Sequence, residues 1–408
     1  MSKTRYLEQT ISNICFANNK MAFVSGPRQV GKTTMSKHLL QQRGCGKYYN
    51  WDETIFRRLW TKNPSQILIQ PKNKTKPLII LDEIHKAKLW KRSLKGIFDT
   101  MDKTNDILVT GSARLNTYRK GSDSLMGRYY HFLLHPFSLA ELLKSKMILP
   151  ENLITTLFTG KNAQNKTAAK YLRLLNKFGP FPEPLLAASE KTLNLWRKNR
   201  LEKIIREDLR DLSRIHELSQ IEMLASLLPE KAANPLSVQS LSEDLEVTYG
   251  TMRRWLTCLQ ELYYHYEIKP YTNSLKRSVK KMGKIYLWDW SEIENQAARF
   301  ENLIASHLLK YCNYLSDTGH GNFELRFLRN KDGQEIDFIL LKNKEPWLPI
   351  EVKLNQNKLS QNWKTFLKLL PCKRGLQVVN QSNIYEKITT EYGEILIISA
   401  DIFLRYLI

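Results

Sequence analysis

Met21-Ala22-Phe23-Val24-Ser25-Gly26-Pro27-Arg28-Gln29-Val30-Gly31-Lys32-Thr33-Thr34 is the stretch whose reading decides the fold. It opens on an apolar run of the kind a buried strand requires and passes straight into Gly-x-x-x-x-Gly-Lys-Thr at residues 26–33. The two glycines free backbone N–H groups to converge on phosphate oxygens. The Lys32 ammonium reaches the β- and γ-phosphates, and Thr33 offers its hydroxyl to Mg²⁺. A helix that starts here adds its positive end. Gly26, Pro27, Arg28, Gln29, Val30, Gly31, Lys32, Thr33 and Thr34 are therefore the expected nucleotide cradle, with ATP and Mg²⁺ as its ligands.

Downstream, Pro77-Leu78-Ile79-Ile80-Leu81-Asp82-Glu83 reads as a buried parallel strand ending in two carboxylates. Asp82 is placed to hold the Mg²⁺ shell and Glu83 to act as general base on the attacking water. A core strand that merely happens to end in acids is the plainer reading, and the upstream loop weighs against it. Asp106-Ile107-Leu108-Val109-Thr110-Gly111-Ser112 is a further strand, ending in hydroxyl groups at the sheet's carboxyl edge. Thr110 or Ser112 can sense the γ-phosphate there; the same residues can also simply turn the chain and cap a helix.

Sixty-three Lys and Arg against 40 Asp and Glu leave a net charge of +23 in 408 residues. Such an excess favours polyanions, with nucleic acid (DNA) first and an acidic membrane surface second, although a lysine-rich composition also arises without any partner. The length allows two or three domains. Cys15, Cys45, Cys258, Cys312 and Cys372 form no Cys-x-x-Cys pair, so a reducing cytoplasm fits best. No stretch resembles a signal peptide or a transmembrane segment.

Strands alternate with helices to about Lys144, with Tyr48-Tyr49-Asn50-Trp51-Asp52 and Phe132-Leu133-Leu134 as additional strands, the rhythm of a parallel α/β sheet. Residues 160–166 turn polar. Helical patterning then continues to about Glu230, broken by Gly179-Pro180-Phe181-Pro182-Glu183-Pro184, which is expected not to be helical. Residues 236–245 and 247–256 read as two short helices around a turn, followed from Ile268 to Asp289 by a hairpin: a helix-turn-helix with a wing. From Lys269 to Lys284 there are six Lys or Arg and no acid. With Arg253 and Arg254 this suggests a DNA-contacting wing; docking on another domain is the alternative.

The last segment holds a second constellation. Glu335-Ile336-Asp337-Phe338 and Ile350-Glu351-Val352-Lys353 lie in strands, and the strand period of two puts Glu351 and Lys353 on one face. Should Asp337 come beside them, two carboxylates can bind Mg²⁺ or Mn²⁺, and Lys353 can orient a water for phosphodiester attack. Glu301 can add a helix-borne carboxylate. An ordinary hairpin with a surface ion pair explains these few residues as simply. No glycosidase-like carboxylate pair and no Ser-His-Asp arrangement is found.

The order of motifs resembles, over essentially the whole length, prokaryotic AAA-type P-loop ATPases that carry a C-terminal domain of restriction-endonuclease-like fold. Further matches are Leu125-Met126-Gly127-Arg128, His135-Pro136-Phe137-Ser138-Leu139-Ala140-Glu141, Arg206-Glu207-Asp208-Leu209 and Lys284-Ile285-Tyr286-Leu287-Trp288-Asp289. The resemblance implies an α/β P-loop ATPase domain at 1–145, a helical linker at 146–230, a winged helix at 231–290 and an α/β restriction-endonuclease-like domain at 291–408. It implies that Glu301, Asp337, Glu351 and Lys353 share one pocket. Ile336 stands where some relatives of that fold have proline. Finally, it implies a homo-oligomer in which Arg128 reaches a neighbouring subunit's nucleotide; a salt bridge within its own chain is the alternative. The reading that follows is an ATP-hydrolysing protein coupled to a DNA-binding, nuclease-like region, with a signalling or scaffold ATPase that binds a protein partner as its rival and a membrane-surface ATPase third.

Overall fold

The computed structural model describes residues 4–71, 74–111, 115, 125–160, 165–209, 217–272, 282–355 and 358–408. The chain forms two compact units, Met1–Pro136 with Glu261–Tyr263, and Phe137–Gln260 with Tyr264–Ile408.

In the first unit five strands, β1 (Met21–Ser25), β2 (Gly46–Asn50), β3 (Leu78–Asp82), β4 (Asp106–Thr110) and β5 (Tyr129–Leu133), form one sheet in the order β2-β3-β4-β1-β5. Every pairing is parallel. β1, β3 and β4 are buried throughout, whereas the edge strands β2 and β5 are only partly so. That difference is why the inner strands read as continuous apolar runs: helices cover both faces. Ile79, Leu81, Ile107 and Val109 pack with Phe56, Trp60, Trp90 and Leu94 on one face. The alternate residues point to the other face, where the helix Lys32–Arg43 starts at Gly31. β2 stops at Asn50, short of the expected Trp51 and Asp52, which turn.

The second unit begins with helices. The proline-rich break proves partly helical: Pro182–Ala187 is a short helix with a proline at its start. The first helical turn needs no N–H from proline and welcomes its fixed φ, so an X-Pro-X-Pro run that forbids a helix interior still permits a helix start. Two helices, Val238–Asp244 and Tyr249–Glu261, precede an antiparallel pair β6 (His265–Ile268) and β7 (Lys284–Leu287). Residues 273–281, including Lys276, Arg277, Lys280 and Lys281, lie outside the described residues, as does Ser112.

A 22-residue helix, Gln296–Asp317, capped by the Asn295 side chain, leads into a mixed sheet. Its strands are β8 (Phe323–Arg329), β9 (Glu335–Lys342), β10 (Glu345–Lys353), β11 (Arg374–Val379), β12 (Tyr385–Thr390) and β13 (Gly393–Ser399), in the order β12-β13-β11-β10-β9-β8. β9 and β10 pair antiparallel, and β10, β11 and β13 run parallel. Among the described residues no helix is long and apolar enough to cross a membrane.

Two histidines in this unit are buried as neutral rings. His307 Nε2 accepts the Leu139 N–H at 3.0 Å while Nδ1 donates to the Leu303 carbonyl at 2.8 Å; His265 Nε2 donates to the Leu256 carbonyl at 3.0 Å. Burial pushes both down from 6.5 to about 4. In this window the unfolded chain binds more protons than the folded one. Stability from each ring is therefore full above pH 6.5 and is lost as pH falls toward 4, by about 1.4 kcal/mol per pH unit. In an NMR titration both C2–H resonances are expected to stay flat from roughly pH 8 to 5.5; a midpoint at the free-imidazole value would show that ring to be solvated.

Candidate functional site

The phosphate loop owes its path to residues without side-chain constraint. Gly26 has φ 151°, and a Cβ there would stand 2.5 Å from the Leu134 carbonyl oxygen; Gly31, at φ 99°, opens the helix. Both lie in conformations that glycine alone adopts readily. Lys32 is buried, its ammonium donating to the carbonyls of Gly26 at 2.9 Å and Pro27 at 2.8 Å. Pro27 and Val30 are buried, Arg28 and Gln29 half-buried, and Thr33 and Thr34 lie exposed on the first helical turn. Behind the loop, buried Arg5 donates to the Val30 carbonyl at 2.6 Å and to the His135 carbonyl at 2.5 Å.

Strand order brings the remaining groups together. β4 lies between β1 and β3, and Thr110 is in register with both Val24 and Asp82. Its hydroxyl donates to Asp82 Oδ1 at 2.6 Å, and Thr33 donates to Asp82 Oδ2 at 2.9 Å. A third hydroxyl arrives from β2: Tyr48 donates to the same Oδ2 at 2.6 Å, with the Lys37 ammonium 4.8 Å from its ring centre. Thr33 and Asp82 thus present two oxygen donors side by side, a set that suits Mg²⁺, which takes few protein ligands and fills its shell with water and phosphate.

Glu83, the next residue, leaves the strand in a left-handed turn with φ 58°. Its carboxylate lies 3.4 Å from His85 Nε2 and 3.8 Å from the Lys86 ammonium, which also holds Asp52 at 2.8 Å. Burial raises the Glu83 carboxyl, while the charges of Lys32 and Lys86 pull it back. A carboxylate so poised is suited to accept a proton from water. Within the chain Arg128 pairs with Asp99 through Nε at 2.6 Å and Nη2 at 2.9 Å.

In the second unit the structure gathers Glu301, Asp337, Glu351 and Lys353. Asp337 Oδ2 accepts the Val352 N–H at 2.8 Å, Glu351 Oε2 accepts the Asp337 N–H at 3.4 Å, and Lys353 Nζ is 2.8 Å from Glu351 Oε1. Glu301 accepts from the Tyr286 hydroxyl at 2.8 Å. Burial, reinforced by the Asp337 charge, pushes Glu301 up to about 8 and Glu351 up to about 7.

A lysine not foreseen here sits in the middle. Lys284 Nζ lies 3.2 Å from Glu301 Oε1 and 3.7 Å from Asp337 Oδ1, and ion-pairs with Glu335. At 3% exposure it is interior, so one of the six cations assigned to the basic wing is turned inward and cannot meet a phosphate. The metal expected at Glu301, Asp337 and Glu351 does not fit this arrangement: among the described residues no three of His, Cys, Asp and Glu are disposed to hold an ion, and an ammonium stands between the carboxylates.

Three residues central to these sites, Tyr48, Arg5 and Lys284, escaped the sequence reading. Lys284 left a trace, since the strand period of two puts it on one face with Tyr286, and both meet Glu301.

Comparison with known proteins divides the chain into three matched domains. Residues 18–143 match the family model described as an AAA domain. Residues 169–295 and 297–398 match two domains of unknown function, DUF8612 and DUF4143. The chain therefore carries an AAA-type P-loop domain followed by those two, as the resemblance implied. It is similar to an uncharacterized protein of Haemophilus influenzae, 24% identical over 371 residues covering 85% of each. An uncharacterized protein of Methanocaldococcus jannaschii is 21% identical over 398 residues, covering 93% of this chain and 86% of that one. Solved structures with a likeness include Aeropyrum pernix ORC1 in complex with DNA, at 13% identity, 73% of this chain, 90% of that chain and TM-score 0.32. AMPPCP-bound DnaA from Aquifex aeolicus gives 14%, 62%, 86% and 0.31. At these scores neither carries an argument about function.

Proposed function

We propose that the protein binds and hydrolyses ATP at its AAA-type domain and uses that cycle to control a nucleic-acid-binding C-terminal half. The observation that carries the first part is the meeting of three hydroxyls, from Thr33, Tyr48 and Thr110, on Asp82 directly before Glu83. In this reading Lys32 neutralises the β/γ-phosphates, and Thr33 and Asp82 hold Mg²⁺, which supplies charge stabilisation when bound. Glu83 takes the proton of the attacking water, and Thr110 or Ser112 senses the γ-phosphate. Arg128 exchanges Asp99 for a neighbouring subunit's nucleotide in a homo-oligomer. The proposed division of labour is 1–145 for the nucleotide, 146–230 as linker, 231–290 as winged helix and 291–408 as the endonuclease-like part.

Contact with DNA is supported by the net charge of +23 and the acid-free run from Lys269 to Lys284, Lys284 itself excepted, and by Arg253 and Arg254, both exposed on the helix Tyr249–Glu261. Replacing Lys276, Arg277, Lys280 and Lys281 by serine is expected to shrink the slope of log affinity against log salt by ~0.9 for each phosphate that is no longer neutralised. Fluorescence anisotropy with duplex DNA across a salt series measures it; an unchanged slope moves the C-terminal half to the rival role of a protein-binding scaffold. The convergence of Glu301, Asp337, Glu351 and Lys353 is the observation behind a second reading for that half, phosphodiester cleavage, which requires Lys284 to leave Glu301 and Asp337 before a metal enters.

A further inference from the structure

The carboxylate cluster of the second unit already contains positive charge of its own. Glu301 comes from the long helix, Glu335 and Asp337 from β9, and Glu351 from β10. Lys284, the first residue of β7, reaches three of them: 3.2 Å to Glu301, 3.7 Å to Asp337, and an ion pair with Glu335. Lys353 holds the fourth, Glu351, at 2.8 Å, and Arg329 approaches Glu335 from outside at 3.8 Å. The oxygens are further engaged by the Val352 N–H on Asp337, the Tyr286 hydroxyl on Glu301 and the Ser360 hydroxyl on Glu351, at 2.8, 2.8 and 3.3 Å.

We propose that the Lys284 ammonium is the resident cation of this cluster, standing where a divalent metal would have to stand, so that the site is closed to Mg²⁺ and Mn²⁺ while Lys284 remains in it. Two physical arguments carry this. Mg²⁺ draws its oxygens in to about 2.0–2.1 Å, which an ammonium hydrogen-bonded to Glu301 Oε1 and 3.7 Å from Asp337 Oδ1 forbids while it stays there. Expelling that ammonium would strand an interior lysine, since Lys284 is 3% exposed and a buried charge stripped of its partners is strongly unfavourable. Tethering sharpens the competition, because a side chain fixed at the site is present at a constant, high local concentration. The inference concerns the same residues as the cleavage reading, which then requires β7 to carry Lys284 away first, and it is independent of the ATPase reading.

The test is a direct count of bound Mn²⁺ by electron paramagnetic resonance on the nucleotide-free full chain, a readout that needs no activity. Wild type, Asp337→Asn and Glu351→Gln are expected to bind Mn²⁺ identically, which cancels any contribution from the first unit. Lys284→Met, nearly the same size without the charge, is expected to gain one Mn²⁺, lost again in Lys284→Met/Asp337→Asn. A wild-type Mn²⁺ that disappears in Asp337→Asn or Glu351→Gln overturns the proposal, and so does a folded Lys284→Met chain that gains none. Should Lys284→Met fail to fold, the comparison of wild type with the two isosteric carboxylate variants still decides. Failure of DNA cleavage with unaltered Mn²⁺ counts speaks only against the cleavage reading.

Discussion

The Lys32→Ala protein is expected to show no heat of ATP binding, whereas Glu83→Gln binds ATP like wild type and turns it over about 10²–10⁴-fold more slowly. The two variants separate because the two groups touch different parts of the reaction. Lys32 is a buried ammonium whose hydrogen bonds run to the loop's own carbonyls. In the proposed reading it is the charge that lets several phosphate oxygens enter that loop, and alanine leaves nothing to balance them. Glu83→Gln is an isosteric change in a largely buried side chain that lies 3.4 Å from the interior His85 ring and 3.8 Å from the Lys86 ammonium. The amide keeps the turn and cannot take a proton. Calorimetric titration gives the first quantity and phosphate release the second. Wild-type turnover in Glu83→Gln would remove Glu83 from the base role while leaving the phosphate loop's role standing.

The second large effect lies in stability. Lys310 ion-pairs with Glu141 and donates to the Ser138 hydroxyl at 3.0 Å, with the two charged side chains 2% and 4% exposed. Ser138 and Glu141 also form the capping box of the helix Leu139–Leu143. Lys310→Ala abandons an interior carboxylate and loosens that cap, and is expected to cost about 3–5 kcal/mol. The double change Lys310→Met with Glu141→Leu removes both charges and is expected to recover most of it, because burying apolar atoms costs nothing comparable. Urea denaturation of the three proteins reads this directly. Equal losses in the single and double variants would mean that the cap, not the uncompensated charge, carries the effect.

How much of this was legible beforehand follows from how local each feature is. The phosphate loop and the two acids at the end of β3, Asp82 within it and Glu83 just after it, are contiguous motifs beside apolar runs, and both their positions and the parallel sheet came from motif, period and composition. Tyr48 was hidden because its meaning depends on β2 pairing with β3 in the register Tyr48↔Ile80 and Asn50↔Asp82, which no stretch of sequence states. Lys284 was misassigned for a related reason. In the sequence it closes a basic run, and only the pairing of β7 with β6, together with the approach of the long helix, turns it toward Glu301. The Pro182 helix shows the opposite error, a valid rule about helix interiors applied to a helix start.

Arg5 has a consequence for how the loop meets its ligand. Because a buried guanidinium spans Val30 and the His135 carbonyl, the loop's shape is settled when the first unit folds, and little conformational freedom is left to be surrendered when phosphate arrives. Affinity gained through such preorganisation is sensitive to anything that frees Arg5 from these two carbonyls. A short deletion or a bulky fusion at that end, far in sequence from Lys32, would make nucleotide capture entropically harder with every phosphate-contacting residue still in place.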